Sequence, residues 1–413
     1  MKIVRVKYSY STQLLFSVFL IWTVVNCKEG NVDMGNGINS FESIDISAFP
    51  ILDQYQYTRE FLDVDTMQLI ALEETETSYI SGIDKLAIFK NSVLIFDRRR
   101  QNLMRFELPT GTYLHSFGEI GKGPFEYVDI RDFDINPHDG VVYVYDYAPN
   151  KIMVYEISGK GLSTIALPDS IHLKNFIVEN DRLIGVLDGS DYSTENQVKI
   201  FNLDDFSEID SGIRNKYIRS DLNKVIGDYH DVKLHRNTDG VYLTEFLNDT
   251  VYKVIDDKIL PVSQVQFGTL KPAVKYYFDQ QATPEQIGQI TLGIENYLKL
   301  EKYLIISFRK YMPFPQTLMY NAVVNLKNGL NYQFAGAFHP GSYLFKISKY
   351  AYENKIVSEI NLNSTLEIMK LNCYKSNNSC SRQDSMLIRD MEVLSIQNPD
   401  MMNPALLVYS IKE

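Results

Sequence analysis

From about residue 60 onward, the chain alternates short runs rich in β-branched and aromatic residues with turn residues, without long helical periodicity. Two stretches show this most clearly: VLIFDRRRQNLMRFELPTGTYL (93–114) and VYVYDYAPNKIMVYEISGKGL (142–162). Asp97 and Asp146 hold matching places in them, 49 residues apart. Each stretch predicts a strand, a turn led by Asp, a second strand and a Gly turn into a third strand. The repeated unit is therefore a β-meander.

Weaker copies of this unit follow at 182–203, 240–254, 303–326 and 350–362. One meander cannot bury both of its faces, whereas meanders stacked around an axis can. We therefore predict an all-β fold over residues 51–413: a six-bladed β-propeller of four-stranded antiparallel blades. The C-terminal strand, PALLVYSIKE (404–413), is expected to close the ring. Short helical insertions are expected near 282–297 and 364–372.

The N-terminus has the pattern of an export signal. A basic start is followed by an apolar run of twelve residues, Leu14 to Val25, interrupted only by Ser17 and Thr23. A helix of that length extends about 18 Å, which is less than the ~30 Å hydrocarbon core of a bilayer. Residues 1–26 are therefore predicted to be a lipoprotein-type signal peptide, and the polar, Gly- and Asn-rich residues 27–50 a flexible tether.

The three cysteines indicate an oxidising, membrane-associated location. Cys27 directly follows the apolar run and resembles the lipidated cysteine of a bacterial lipobox, although Asn26 departs from the small residue usual there. An incidental cysteine after an ordinary cleavage site is the alternative. Cys373 and Cys380 then form an even pair, which favours a disulfide. Their spacing is not C-x2-C, and zinc is not expected.

The net charge of the chain bears on whether nucleic acid is a partner. The chain carries 41 Lys and Arg against 52 Asp and Glu, a formal net charge of −11. Such a surface repels phosphate backbones, and nucleic-acid binding needs a clustered basic stripe. The densest basic run, Arg98-Arg99-Arg100, is short, and we interpret it as a solvated turn. Nucleic acid is therefore not an expected partner.

A family resemblance comes from the run FGEIGKGPFEY (117–127), together with the repeated Asp-led turns, the lipobox-like Cys27 and the ending NPALLVYSIKE. Its most specific residues are Gly121, Gly123, Pro124, Glu126 and Tyr127. These features resemble the six-bladed β-propeller lipoproteins of Gram-negative bacterial envelopes, which are distant relatives of NHL-type propellers. The resemblance implies a fold and an envelope location, and it brings no catalytic residue with it.

Several residues are candidates for structural or binding roles. The Gly-rich run lacks the Gly-Lys-Ser/Thr ending of a phosphate loop, so Gly121, Gly123 and Pro124 are interpreted as a turn between blades. Asp97 and Asp146 are either channel-facing metal ligands, as in calcium-dependent six-bladed lactonases, or caps of their own turns; their position after an apolar strand favours caps.

The binding candidates lie next to an inner strand or in loops. Glu126 and Tyr127 precede an inner strand, which in a propeller lines the central channel, and are predicted to contact a ligand. Tyr192 and Phe314 lie in predicted loops, where aromatic rings stack on sugars or dock proteins.

Two classes of function fit these residues. The first is a binding or scaffolding module for a glycan, peptide or partner envelope protein, without a cofactor. The second is a metal-dependent lyase or lactonase-type enzyme with a divalent metal in the channel. The sequence contains no H-E-x-x-H and no G-x-S-x-G motif, which favours the binding module. The protein is expected to be exported and anchored by a lipid in the bacterial cell envelope, with the outer membrane favoured.

Overall fold

The structure is a computed structural model. It describes residues 41–52, 62–188, 196–214, 232–268, 291–310, 318–327, 329, 331–336, 350–352, 355–375, 382–398 and 401–411. These residues belong to one compact unit, Ser40–Glu413.

The first half of the described chain forms three blades of four antiparallel strands, each in sequence order from the inside outward. Blade 1 consists of β4 (Lys85–Phe89), β5 (Ser92–Asp97), β6 (Asn102–Glu107) and β7 (Tyr113–Ser116). Blade 2 consists of β10 (Ile130–Ile135), β11 (Val142–Asp146), β12 (Lys151–Tyr155) and β13 (Gly161–Ala166). Blade 3 consists of β14 (Leu173–Glu179), β15 (Arg182–Leu187), β16 (Asn196–Asn202) and β17 (Glu208–Arg214). Between blades 1 and 2, a short parallel pair joins β8 (Glu119–Ile120) and β9 (Glu126–Tyr127).

The second half adds three more blades, so the prediction of a six-bladed propeller is confirmed. Blade 4 consists of β18 (Lys233–Asn237), β19 (Gly240–Thr244), β20 (Thr250–Ile255) and β21 (Lys258–Gln266). Blade 5 consists of β22 (Thr291–Lys299), β23 (Tyr303–Lys310), β24 (Leu318–Asn325) and β25 (Asn331–Gly336). Blade 6 consists of β26 (Tyr350–Tyr352), β27 (Lys355–Ile360), β28 (Ala405–Ile411) and the N-terminal β3 (Leu62–Ala71).

The N-terminal segment closes the ring in a way that differs in detail from the expectation. The C-terminal β28 stays within its own blade as the third strand, and β3 pairs with it as the outer strand. Earlier in the chain, β1 (Glu42–Asp45) pairs in parallel with the outer strand of blade 4, and β2 (Ile51–Leu52) does so with the outer strand of blade 5. Residues 42–45, which the sequence assigned to the tether, thus form part of the propeller.

The core is divided among the interfaces between neighbouring blades. In β5, Val93 and Ile95 pack toward blade 6, whereas Leu94 and Phe96 pack toward blade 2. Successive side chains of a strand point to opposite faces, so a middle strand covered on both faces is apolar throughout. Every residue of β5 is accordingly buried. This explains why the sequence shows continuous apolar runs rather than simple alternation.

Two helices interrupt blade 6 between β27 and β28: α1 (Leu362–Lys375) and α2 (Arg382–Gln397). The first confirms the helical insertion expected near 364–372. Of the insertion expected near 282–297, residues 282–290 lie outside the described residues, and residues 291–297 form part of the strand β22, so the helix expected for them is wrong. Leu366, Met369 and Met391 pack with the residues between blades 5 and 6. Among the described residues, no helix is long and apolar enough to span a membrane.

Candidate functional site

The innermost strands of the blades surround a central channel with a volume of about 830 Å³. All six blades contribute to its lining, and many of the lining side chains are charged or polar. We call the end at which the inner strands begin the first mouth, and the end at which they finish the second mouth. The charged residues of the lining are Asp84, Lys85, Arg98, Arg131, Asp132, Asp134, Lys174, Asp188, Lys233, Arg236, Glu295 and Lys299.

Bulges in the inner strands place three of these charges. The register shifts between Ile130 and Asp132, between Leu173 and Asn175, and between Ile294 and Asn296. The residues inside these shifts are Arg131, Lys174 and Glu295, and all three line the channel. A bulge adds one residue to a strand and re-aims its side chain. Blades 2, 3 and 5 thus use the same irregularity to direct a charge toward the axis.

Asp132 is one of two deeply buried acids of the channel wall, with 4% of its surface exposed. Lys85 of blade 1 donates to both of its carboxylate oxygens, at 2.9 and 3.0 Å, and the backbone N–H of Phe176 in blade 3 donates at 2.9 Å. Burial raises the pKa of Asp132, and Lys85 and the Phe176 N–H oppose that rise. This carboxylate therefore joins three consecutive blades.

Asp134 makes a second connection nearer the second mouth. It accepts the backbone N–H of Val178 at 2.7 Å and a guanidinium N–H of Arg236 at 2.6 Å. Arg236 also donates to Glu179 and to the Val178 carbonyl. Blades 2, 3 and 4 are thus tied together around one guanidinium group.

Glu295 makes the third connection, between blades 4 and 5. Lys233 of blade 4 donates to its carboxylate, and Arg309 of blade 5 lies 3.4 Å from its other oxygen. Together, the Lys85–Asp132, Arg236–Asp134–Glu179 and Lys233–Glu295–Arg309 contacts form what we call the ion-paired wall. Its acids hold neighbouring inner strands that are not paired with each other in a sheet. Within the described ranges, no three His, Cys, Asp or Glu side chains are grouped so that they could hold a metal ion.

The first mouth has a different chemistry. Arg98 lies in the turn after β5, and its guanidinium group has no hydrogen-bond or ion-pair partner in the part of the chain that the structure describes. The Gln101 side chain joins this turn to blade 2, because its amide accepts the Ile130 N–H at 2.5 Å and donates to the carbonyls of Ile130 and Arg98. Arg131, the residue after Ile130, is therefore held close to the Arg98 turn.

Arg131 has a fixed orientation. Its Nε donates to Asp129 at 2.9 Å, and its guanidinium group lies over the Tyr147 ring, 4.1 Å from the ring centre. Tyr147 in turn packs against His172 of blade 3. The two terminal nitrogens of Arg131 have no partner among the described residues.

Blade 3 supplies two more unengaged groups at this mouth. Neither amide atom of Asn175 has a hydrogen-bond partner in the described ranges, although its Oδ1 is buried. The carboxylate of Asp188, which follows β15, likewise has no hydrogen-bond or ion-pair partner in the described ranges. Arg98, Arg131, Asn175 and Asp188 are called the mouth cluster below.

Asp97, Asp146 and Asp188 lie at or just after the ends of the second strands of blades 1, 2 and 3, but Asp188 is one register position further along. Leu187, not Asp188, pairs with Leu173 as Asp146 pairs with Ile130. Asp97 is fully buried and accepts from the Ser81 N–H at 2.6 Å and from the Arg100 N–H at 3.1 Å. Asp146 is also fully buried and accepts from the backbone N–H groups of Val128 and Asp129. These two carboxylates cap backbone donors near the strand ends and do not line the channel, whereas Asp188 does.

The Gly-rich run forms a loop that lies away from the channel lining. The Gly123 N–H donates to the Glu126 carboxylate at 2.8 Å, and a Cβ at Gly121 would collide with that carboxylate. Lys151 donates to the carbonyls of Gly123, Pro124 and Glu126. The two glycines thus leave room for the Glu126 carboxylate to turn back onto the loop.

Tyr127 lies in the core rather than at the channel. It is 3% exposed and packs in the cluster between blades 1 and 2, where burial raises the pKa of its hydroxyl to about 12. The structure thus places Glu126 in β9 at the end of the Gly-rich loop and Tyr127 in the core, and neither residue lines the channel predicted for them.

Other predicted residues lie outside the described ranges. Cys27, Tyr192, Phe314 and Cys380 belong to this group. Cys373 lies in α1, so the disulfide between it and Cys380 stays a prediction.

Comparison with protein families gives one match. Residues 57–332 match the family described as "Domain of unknown function (DUF4934)". The chain belongs to this family. No curated protein matches the chain.

Several solved structures are similar to this DUF4934 chain. A Bacteroides fragilis protein named "Putative exported protein" is 16% identical with a TM-score of 0.65, and the match covers 91% of this chain and 100% of that one. A member of the DUF4221 family from Bacteroides vulgatus is 9% identical with a TM-score of 0.47, covering 85% and 99%. Virginiamycin B lyase from Staphylococcus aureus is 13% identical with a TM-score of 0.38, covering 70% and 94%. At these identities the first similarity shows only a shared fold, and nothing about this protein is concluded from the other two.

The mouth cluster of this DUF4934 propeller was not identified from the sequence. The Arg98 run was interpreted as a solvated turn, yet Arg98 lines the channel. One available signal was the alternation in β10, where Asp132 and Asp134 are two residues apart on an inner strand and so face the same side. That signal locates the ion-paired wall. In the sequence Asp188 follows an apolar strand as Asp97 and Asp146 do, and only the strand register places it one residue further along.

Proposed function

We propose that the protein is an exported β-propeller, held at the cell envelope by a lipid on Cys27, that binds a glycan, peptide or partner envelope protein without chemical turnover. One observation carries the binding role: the acids of the ion-paired wall are engaged by neighbouring blades, whereas the mouth cluster keeps polar atoms, the terminal nitrogens of Arg131 among them, that have no partner in the described residues. Preformed concave sites with a few convergent polar groups are typical of ligand binding.

The export and anchoring part rests on the N-terminal pattern and on the family resemblance. The similar protein from Bacteroides fragilis carries the name "Putative exported protein". The described chain begins at the outer edge of blade 4, where β1 pairs with β21.

Lipidation predicts a simple labelling result. Cells expressing the full chain and given radiolabelled palmitate should incorporate label into the wild type and the Cys373→Ala control. Cys27→Ala should lose the label and become soluble, with its fold unchanged because Cys27 precedes the first strand. Absence of label from the wild-type protein would contradict the anchor.

The binding role predicts a ligand that is held and released unchanged. The exported chain carrying Cys27→Ala should be screened against envelope glycans, peptides and co-purifying envelope proteins, with each bound molecule recovered and its mass measured. We expect at least one to bind and be recovered intact. Metal-dependent turnover of a lactone or uronide that is abolished by Asp132→Asn would replace the binding module with the enzyme alternative.

A further inference from the structure

We propose that the first mouth of the channel binds an acidic sugar, with its carboxylate on Arg98 and Arg131 and its hydroxyl groups on Asn175 and Asp188. This inference rests on the proposed binding function and names the class of ligand. It uses only groups that line the channel and have unengaged polar atoms in the described part of the chain.

The carboxylate position follows from the two arginines. Arg98 and Arg131 belong to neighbouring blades, and the Gln101 amide joins the turn that contains Arg98 to Ile130, the residue before Arg131. Arg131 is held in place by Asp129 and Tyr147, which leaves its two terminal nitrogens for a ligand. Guanidinium groups bind carboxylates through paired hydrogen bonds, and less entropy is lost when the guanidinium is already fixed. The chain carries a net charge of −11, so an acidic ligand needs such a local pair of cations.

The hydroxyl position follows from blade 3. The Asn175 side-chain nitrogen offers N–H donors that have no partner among the described residues, whereas its Oδ1 is buried and out of reach of a ligand. A hydroxyl group both donates and accepts, so it can accept from this nitrogen and donate to the Asp188 carboxylate. An ammonium group only donates and would leave the amide nitrogen unpaired. Asp188 adds a carboxylate that accepts from further hydroxyls. This favours a sugar acid over an amino acid.

The channel as a whole, of which the first mouth is one end, is large enough for a small ligand. Its volume of about 830 Å³ lies within the range of roughly 300–1,000 Å³ common for small-ligand sites. Lys85, which begins β4, is occupied by Asp132, so this ion pair is not a competing anion site.

The test uses the exported chain carrying Cys27→Ala and a panel of short oligouronates: galacturonate, glucuronate and alginate fragments. Their carboxyl-reduced, neutral counterparts and tetra-aspartate serve as comparison ligands, and calorimetry measures each affinity. We expect one oligouronate to bind at least tenfold more tightly than its neutral counterpart and than the peptide.

The variants separate the two halves of the site. Arg98→Ala and Arg131→Ala should each weaken oligouronate binding about tenfold or more and leave the neutral sugar unaffected. Asn175→Ala and Asp188→Asn should weaken both ligands. Arg99→Ala is the matched control, because Arg99 is adjacent to Arg98 but does not line the channel, and it should bind as the wild type does.

The outcomes distinguish this inference from the proposed function. If no oligouronate binds but the wider screen finds another ligand, the acidic-sugar inference is wrong and the binding function stands. If neither panel nor screen gives a ligand, both are wrong. Equal binding of tetra-aspartate, or equal effects of Arg98→Ala and Arg99→Ala in variants with wild-type thermal unfolding, would also overturn the inference.

Discussion

The ion-paired wall and the mouth cluster line the same channel but use their charges differently. In the wall, Asp132, Asp134 and Glu295 each have a cation from another blade, and the first two also accept a backbone N–H from β14. In the mouth cluster, Arg98 and Asp188 have no such partners in the described chain. Charge at a propeller axis is therefore not by itself a sign of a binding site, because much of it joins blades whose inner strands do not pair.

The largest expected effect comes from breaking the wall at Lys85. Lys85→Met removes the cation beside a carboxylate that is 4% exposed, and it leaves that charge buried without its counter-ion. Removing one partner of a buried pair costs about 3–5 kcal/mol of unfolding free energy. Urea unfolding should show a loss of this size. The double variant Lys85→Met/Asp132→Asn should recover most of it, since Asn still accepts from the Phe176 N–H.

The pH dependence of Lys85→Met sharpens the same prediction. Burial already raises the folded-state pKa of Asp132 above its ordinary 3.8, and without Lys85 it should rise further. A carboxyl with a raised folded pKa contributes stability below its unfolded pKa, and that contribution is lost as pH rises through the folded pKa. The loss of unfolding free energy in Lys85→Met should therefore be largest at neutral pH and become smaller toward pH 4. A deficit independent of pH would point to lost packing instead.

The second effect compares two acids near the ends of second strands, one in each kind of surroundings. Asp97→Ala leaves the Ser81 and Arg100 N–H groups without their acceptor and should cost about 2 kcal/mol of unfolding free energy. Asp188→Ala should change it by less than about 0.5 kcal/mol, because no described donor depends on it. If Asp188→Ala cost as much as Asp97→Ala, Asp188 would also be a structural cap.

The fold was predictable because the repeat is visible in the amino-acid sequence of the strands. Val93–Asp97 and Val142–Asp146 are alike because both are middle strands buried on both faces. Each blade needs middle strands that can be buried in this way. Ring closure was less predictable. The sequence of β3 shows that it is a strand but not that it pairs with β28, more than 300 residues away. Likewise, the composition of residues 42–45 resembles a tether although they pair with blade 4.

The site was less predictable than the fold for two reasons. The positions of Arg131 and Asn175 at the channel depend on bulges, and a single inserted residue leaves no mark in a hydrophobic pattern. Glu126 shows the opposite error: its place before an inner strand is correct, but its carboxylate turns back onto the Gly123 N–H. Whether a polar group is engaged is a property of its neighbours in space, which one sequence does not contain.

The smallest expected effects lie in the run of three arginines, and they separate binding from stability most cleanly. Arg100 packs its guanidinium over Tyr79 at 5.1 Å, so Arg100→Ala should cost about 0.5–1 kcal/mol of unfolding free energy. Arg98→Ala and Arg99→Ala should each stay within about 0.5 kcal/mol of the wild type, because neither guanidinium group has a partner in the described residues. Urea unfolding of the three variants checks this order. A cost above about 1 kcal/mol for Arg98→Ala would mean that Arg98 supports the fold, and a loss of ligand affinity in that variant would then no longer identify a contact. With its stability unchanged, the same loss is assignable to the guanidinium group at the mouth of the channel.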